Sequence, residues 1–398
     1  MKRLAIYLVA AMSLFASCVN DSVDEKKKLE GSDETVPPNQ DDIDTSGTGD
    51  IVFPESSAVS AFSAKTASNE IVQVKGNSTT FPMEKMFTLK SGVFDGMQAT
   101  DVVYAGSYML VSYATVGAEY GGGVQIITLD GSVDYKSLTP ETAKDHITLA
   151  DQWVSSDVDI NMLEVSGSKV YAVGAVDLSV EKYKSLETSA MLFELELSGS
   201  SFAHTDNSIR YNLYPLTSYV GKDVAYANNK VLTVSGDAGY LEVFKTANMT
   251  SENAQPIRDA RSVKVYNEVA YVLSASGVDK YSTAGEYQST LVSFESGIEE
   301  DYAGAQRILS VSDNCILTPQ GIYGVSAYDF NGSELFHLQP ASSYEGNTGY
   351  DIAVNSAVMV EYEERKFVLV ATGEAGLAEA YVNESGKAIY ECVFDLDG

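Results

Sequence analysis

Asp101–Tyr113 reads DVVYAGSYMLVSY, and Asp223–Ser235 reads DVAYANNKVLTVS. Each is an apolar run, a break at Gly106 or at Asn228 and Asn229, and a second apolar run, which is the pattern of a β-hairpin. The same phrase recurs as MLEVSGSKVYAVG around Gly167 and VKVYNEVAYVLSASG around Asn267. Looser copies are RILSVSDNCILTP around Asp313 and MVEYEERKFVLVATG around Glu364. A third run follows each hairpin, usually opened by a glycine: Gly123, Gly239, Gly277, Gly324 and Gly376. In the second copy it is AMLFELEL from Ala190. A fourth run closes several units, as in ELFHL from Glu334 and AIYECVF from Ala388.

Four short strands per unit without helical periodicity describe an antiparallel blade. The aligned turns are 61, 61, 39, 46 and 51 residues apart, and the shorter spacings fall in the range of propeller blades, roughly 40–50 residues. The expected fold is an all-β propeller of four-stranded antiparallel blades. Six units are visible, and residues 51–90 read as an incomplete seventh, with EIVQVKG from Glu70 and EKMFTL from Glu84 as its strands. Seven blades are therefore expected, with six as the alternative, and closure by pairing N- and C-terminal strands in one blade removes the exposed edges. The excess length of the first two units is placed in loops near 130–150, 177–189 and 198–215.

Ahead of the repeats the chain opens MKRLAIYLVAAMSLFASC. Two cations, an apolar run too short to span a bilayer, and small residues before a cysteine describe a secretory signal. The expected organisation is a lipoprotein signal over 1–17, a lipid on Cys18, a flexible acidic tether over 18–50 and the propeller over 51–398. The tether is nearly free of large apolar side chains and cannot offset its ordering entropy by burial. The stretch ending in Cys18 resembles a bacterial lipoprotein signal, and a lipid behind such a tether would hold a folded body at a membrane; the resemblance implies the bacterial outer membrane, facing the periplasm or the surface.

The whole chain has 26 Lys plus Arg against 56 Asp plus Glu, a net charge of −30. That balance excludes nucleic acid and an anionic lipid surface as main partners. The repeats, with their Asp, apolar triplet, small residue and Gly or Asn followed by a glycine-led third strand, resemble the LVIVD class of bacterial propeller repeats found in secreted lipoproteins of Bacteroidetes type. The resemblance covers roughly residues 95–382. It implies a propeller in a cell-envelope setting and implies no reaction. The leading Asp departs from the pattern in the fourth and fifth units, which carry Arg261 and Arg307.

Little chemistry stands out on the repeats themselves. His146, His204 and His337 are scattered, without the spacing of a metal site or of a Ser-His-Asp triad. Cys315 and Cys392 read as buried thiols. No catalytic residue and no cofactor is assigned. The connections between units are more informative, because in a propeller they run over one face beside the channel. They carry the aromatics Phe94, Trp153, Tyr219, Tyr302, Tyr344 and Tyr350. Beside these stand the acids Asp101, Asp157, Asp223, Asp259, Asp301 and Asp351, with Arg261 and Arg307. Aromatic faces beside carboxylates and guanidinium groups suit a glycan or a partner protein at one channel mouth. Calcium is a weaker reading of the same acids, since they lie on separate connections without a DxDxDG loop. The leading reading is a lipid-anchored binding module. A carboxylate-dependent hydrolase or lyase acting on polysaccharide is the alternative, and a structural spacer the second alternative.

Overall fold

The computed structural model describes residues 97–115, 119–130, 140–205, 208–236, 238–294, 308–312, 315–338, 353–362, 364–371, 377–382 and 388–395, with short strands at 39–40, 50–52, 60–63 and 88–90. Its sheets are antiparallel and form a six-bladed β-propeller. Blade 1 covers residues 97–155, blade 2 158–215, blade 3 221–256, blade 4 260–293, blade 5 310–338 and blade 6 356–395. Within each blade four strands pair in chain order, and in blade 2 two short extra strands, Ser201–Phe202 and His204–Thr205, stand between the third and the fourth. The first strands of blades 1 to 4 pack on one another, which makes them the inner strands around the axis.

The turn chemistry explains why the repeated phrase folds as it does. Asn228 and Asn229 both have positive φ, 51° and 58°, between the paired residues Ala227 and Lys230. That is a two-residue turn with both central residues left-handed, whose twist matches the strands, and asparagine tolerates it better than most residues. The glycine that opens the third strand has a different cause. A Cβ on Gly123 would lie 2.1 Å from the Trp153 carbonyl oxygen, and one on Gly277 2.0 Å from that of Val292. Both carbonyls belong to the outer strand of the same blade, which crowds the third strand at its start.

The core lies between facing blades. Leu110, Val124, Ile126 and Trp153 of blade 1 meet Ile160, Val170, Phe193 and Tyr211 of blade 2 in one buried cluster. Trp153 is 1% exposed, with ring centroids 5.6 Å from Phe193 and 5.1 Å from Tyr211. Similar clusters join blade 2 to blade 3, blade 3 to blade 4 and blade 5 to blade 6.

There are six blades, the alternative and not the favoured count. The short strands described in 50–90 do not build a seventh: Asp50–Val52 pairs with Thr88–Lys90, and Ser60–Ser63 adds to the outer strand of blade 6, Ala388–Asp395. This N-to-C pairing is the expected closure, and it covers the last edge without needing a separate blade. The run from Glu70 lies outside the described residues, as do 1–17 and Cys18. Most of 18–50 does so too, but Asn39–Gln40 pairs with Tyr211 and Arg210 at the outer edge of blade 2.

Two of the three expected insertions overrun into core strand at their C-terminal ends, while Pro140–Ala143 in the first is a short helix and Ser201–Phe202 and His204–Thr205 in the third are extra short strands off the blade's four-strand order. Residues 177–189 do form a connection, with a 3-10 turn at Glu181–Tyr183. By contrast, Ser208–Pro215 is the outer strand of blade 2, and Ile147–Ser155 that of blade 1. Polar outer-strand residues such as Asn212 had made core strand look like loop.

Truncating the tryptophan at the junction of blades 1 and 2 tests this packing. Trp153→Ala is expected to lower the unfolding free energy by about 3–5 kcal/mol, the scale of deleting a buried large aromatic, read as a lower urea midpoint at unchanged slope. A loss below about 1 kcal/mol, the level of an ordinary substitution, would contradict the burial.

Candidate functional site

The inner strand of a blade has one edge without a ladder partner, so its N–H and C=O groups need acceptors and donors from elsewhere. The preceding blade supplies them. Asp101 Oδ2 of blade 1 accepts the Leu163 N–H of blade 2 at 2.9 Å, and Asp223 Oδ2 of blade 3 accepts the Val263 N–H of blade 4 at 3.0 Å. Ser262 of blade 4 occupies the equivalent place, accepting the Leu309 N–H at 3.0 Å while donating its own hydroxyl to Asp223. In each case the acceptor stands five residues before the hairpin turn residue, and the amide it receives four residues before the next one. One residue earlier, the Thr100 hydroxyl donates to the Ile160 carbonyl, and the Asn161 amide donates to the Gly221 carbonyl at 2.8 Å. The Asp of the repeat is thus a latch between blades.

Charged residues stand three positions before the turn in blades 2 and 4: Glu164 and Lys264. Together with Ala225, Tyr226, Val265, Tyr266 and Val311 they line a cavity of about 220 Å³ at the hairpin end of the inner strands. Lys264 Nζ donates to Asp223 Oδ1 at 3.0 Å; the lysine side chain keeps 30% of its exposure while the aspartate keeps 1%. Glu164 has no ion-pair partner of its own among the described residues, although the Lys264 charge attracts it. The two tyrosine rings are fixed by stacking. Tyr226 lies 6.1 Å from Tyr171 and Tyr266 lies 5.1 Å from Phe330, each pair within 7° of parallel.

The electrostatics follow from three acids sharing one ammonium. Burial, reinforced by the charges of Asp223 and Asp101, pushes the Glu164 carboxyl up to about 7 against the pull of Lys264. Burial likewise raises Asp101 to about 6, with Lys264 and the Leu163 N–H opposing it. Burial acts to lower the Lys264 ammonium, but Asp223, Asp101 and Glu164 outweigh it and hold its pKa above the ordinary value.

The expected mouth is only partly brought together. Asp157 sits in the turn between blades 1 and 2, 3.2 Å from Lys182. Tyr219 is half-buried just before the inner strand of blade 3. Asp259 precedes that of blade 4 in the left-handed region, φ 55°, with its Oδ1 2.8 Å from the Arg261 guanidinium. These four do lie where connections enter inner strands, but Arg261 is itself buried. Three others are corrected. Trp153 is packed between sheets, because alternation along its strand turns it towards blade 2. Asp101 and Asp223 are buried within the inner strands, their oxygens held by backbone amides. Phe94, Asp301, Tyr302, Arg307, Tyr344, Tyr350 and Asp351 lie outside the described residues. The cavity residues went unread, although opposite charges at one repeat position, Glu164 and Lys264, were visible in the sequence.

Other polar clusters offer less. Ser326 Oγ lies 2.8 Å from His337 Nδ1 and 3.4 Å from Glu334 Oε2, but the serine is 1% exposed and stands between the other two rather than at the end of a relay. Cys315 is a buried free thiol. Among the described residues no group of three His, Cys, Asp or Glu converges to hold a metal ion, and no helix is long and apolar enough to cross a membrane.

No protein-family model matches the chain, and no curated protein matches it. Among solved structures it is similar to the computationally designed Ika8 protein, at 11% identity over 75% of this chain and 97% of that one, with a TM-score of 0.36. It is also similar to the computationally designed Ika4 protein, at 12% identity over 41% and 91%, with a TM-score of 0.31. Likeness at that level says nothing about function.

Two substitutions separate latch from cavity. Asp223→Ala leaves the Val263 amide and the Lys264 ammonium without their acceptor, and is expected to cost about 3–5 kcal/mol in denaturant unfolding. Glu164→Gln should do the reverse above neutrality. A carboxyl with a raised folded pKa binds protons more tightly in the folded state, so its contribution is full below the unfolded value and is lost as pH rises towards 7. The glutamine variant should match the parent near pH 4 and exceed it by about 1–2 kcal/mol at pH 8, a discounted share of the roughly 1.4 kcal/mol per pH unit. A variant less stable than the parent at pH 8 would contradict this electrostatic account.

Proposed function

We propose that this chain is a lipid-anchored binding module of the bacterial cell envelope, tethered through Cys18 and taking its ligand in the hairpin-end cavity of the channel. One observation carries the reading: a carboxyl without an ion pair among the described residues and two tyrosines held by stacking face one cavity on a rigid scaffold. Pre-set polar and aromatic groups on a framework that costs little to order are what a binding site requires. The signal-like opening and the LVIVD-like repeats support the envelope setting, on the outer membrane, with an envelope glycan or partner protein as the ligand's source.

The hydrolase or lyase reading gains less support. It needs two carboxyls free to exchange protons across a substrate at a defined separation. Asp101 and Asp223 are occupied by inter-blade bonds, and Glu164 stands without a second free acid among the described cavity residues. A spacer role would leave Glu164 without a reason to remain ionisable at a cost in stability.

Radiolabelled palmitate is expected to enter the protein in its host, and Cys18→Ala to release a soluble form; an unlabelled parent protein would refute the anchor. For the cavity, arrayed envelope glycans and envelope extracts should show a ligand whose binding Tyr266→Ala weakens by about 1–3 kcal/mol, the scale of one packed aromatic anchor. Binding that persists unchanged in this variant would place the ligand elsewhere.

A further inference from the structure

We propose that the hairpin-end cavity recognises an organic ammonium group, primary or quaternary, with Glu164 as its counter-ion and the rings of Tyr226 and Tyr266 as its walls. This rests on reading the cavity as a binding site and names the chemistry of what enters it. Three observations converge. The first is a missing charge: Asp101, Glu164 and Asp223 face a single ammonium, and Lys264 Nζ is directed to Asp223 at 3.0 Å, leaving Glu164 unpaired among the described residues. A ligand cation would supply the partner that the protein omits.

The second is the aromatic lining. Tyrosine rings attract cations through their quadrupoles, and carboxylate plus aromatic walls is the arrangement that holds alkylated ammonium groups. Here each ring stacks on a neighbour, Tyr226 on Tyr171 and Tyr266 on Phe330, which restricts its rotamers before a ligand arrives. The third is size. About 220 Å³ falls below the roughly 300 Å³ at which pockets begin to enclose drug-sized molecules, so the cavity takes a headgroup or the end of a larger ligand and not a polymer laid along it.

The charged and titratable groups facing Glu164 come from three inner strands: Asp101 from blade 1, Asp223 and Tyr226 from blade 3, and Lys264 and Tyr266 from blade 4. With burial and two carboxylates raising Glu164 to about 7, a cation must displace its proton at and below neutrality. Binding then releases up to one proton, and affinity rises as pH increases through 7.

The test is calorimetric titration of the purified full chain at pH 6 and pH 8 with choline, with its uncharged carbon isostere 3,3-dimethyl-1-butanol, and with glucose. Choline is expected to bind about tenfold more tightly than the isostere and to tighten several-fold from pH 6 to pH 8, with proton release seen on changing the buffer. Glu164→Gln should lower choline affinity about tenfold and flatten its pH dependence, and Glu164→Asp should restore part of both. Cooperative unfolding of each variant, followed separately, ensures that lost affinity reports the cavity and not the fold. Equal binding of choline and isostere overturns the proposal, as does choline affinity unchanged in Glu164→Gln. Glucose binding without choline binding overturns the ammonium and leaves the binding module standing, whereas no binding by any probe, together with no glycan or extract ligand sensitive to Tyr266→Ala, overturns both.

Discussion

The open inner edge of each blade is the constraint on which this propeller depends. Hydrogen bonding between strands stops at that edge, yet the edge is buried against its neighbours, where an unpaired amide or carbonyl costs free energy. The chain meets the need with side chains of the preceding blade: Asp101 for Leu163, Asp223 for Val263, Ser262 for Leu309, Asn161 for the Gly221 carbonyl. Because each bond fixes one blade's height against the next, the same contacts that satisfy the backbone also set the register around the axis.

That solution brings acids to the axis of an already acidic protein. Asp223 is stabilised by amides, a hydroxyl and Lys264, but the ammonium cannot neutralise Asp101 and Glu164 as well. The strain of that shortage falls on Glu164, which lines the cavity half-buried, is pushed up to about 7, and makes no inter-blade ion pair among the described residues. Residues that break a local rule without a compensating contact are where a folded protein most often carries function. The tyrosines belong to the same picture, since their stacking on Tyr171 and Phe330 provides aromatic walls whose ordering entropy is already spent.

The legible part of the molecule was the part that repeats. Val, Leu, Ile and Tyr runs broken at Gly106, Asn228 and Asn267 specify hairpins by local physics alone, and the turn dihedrals at Asn228 and Asn229 follow from what asparagine tolerates. Blade count was less legible, because a short apolar segment near the N-terminus reads alike whether it begins a new blade or, as Ser60–Ser63 does, closes an old one. The site was hardest. Trp153 stands next to a connection in sequence, but strand alternation turns its ring into the junction with blade 2. Asp101 and Asp223 resemble ligand-binding acids until the amide of the next blade is seen beside them.

The sequence by itself determined the strand pattern, the four-stranded blades, the recurring left-handed turns and the acidic balance, because each follows from side chains interacting with their own neighbours along the chain. Only the tertiary structure decided that six blades close the ring, that the repeat's Asp is a latch, and that Glu164, Tyr226, Lys264 and Tyr266 share one cavity. Those facts depend on strands distant in sequence, from the 38 positions between Tyr226 and Lys264 to the 335 between the paired Ser60 and Asp395, meeting around a common axis. Nothing in a local pattern records which amide, charge or ring will stand opposite once the blades have closed.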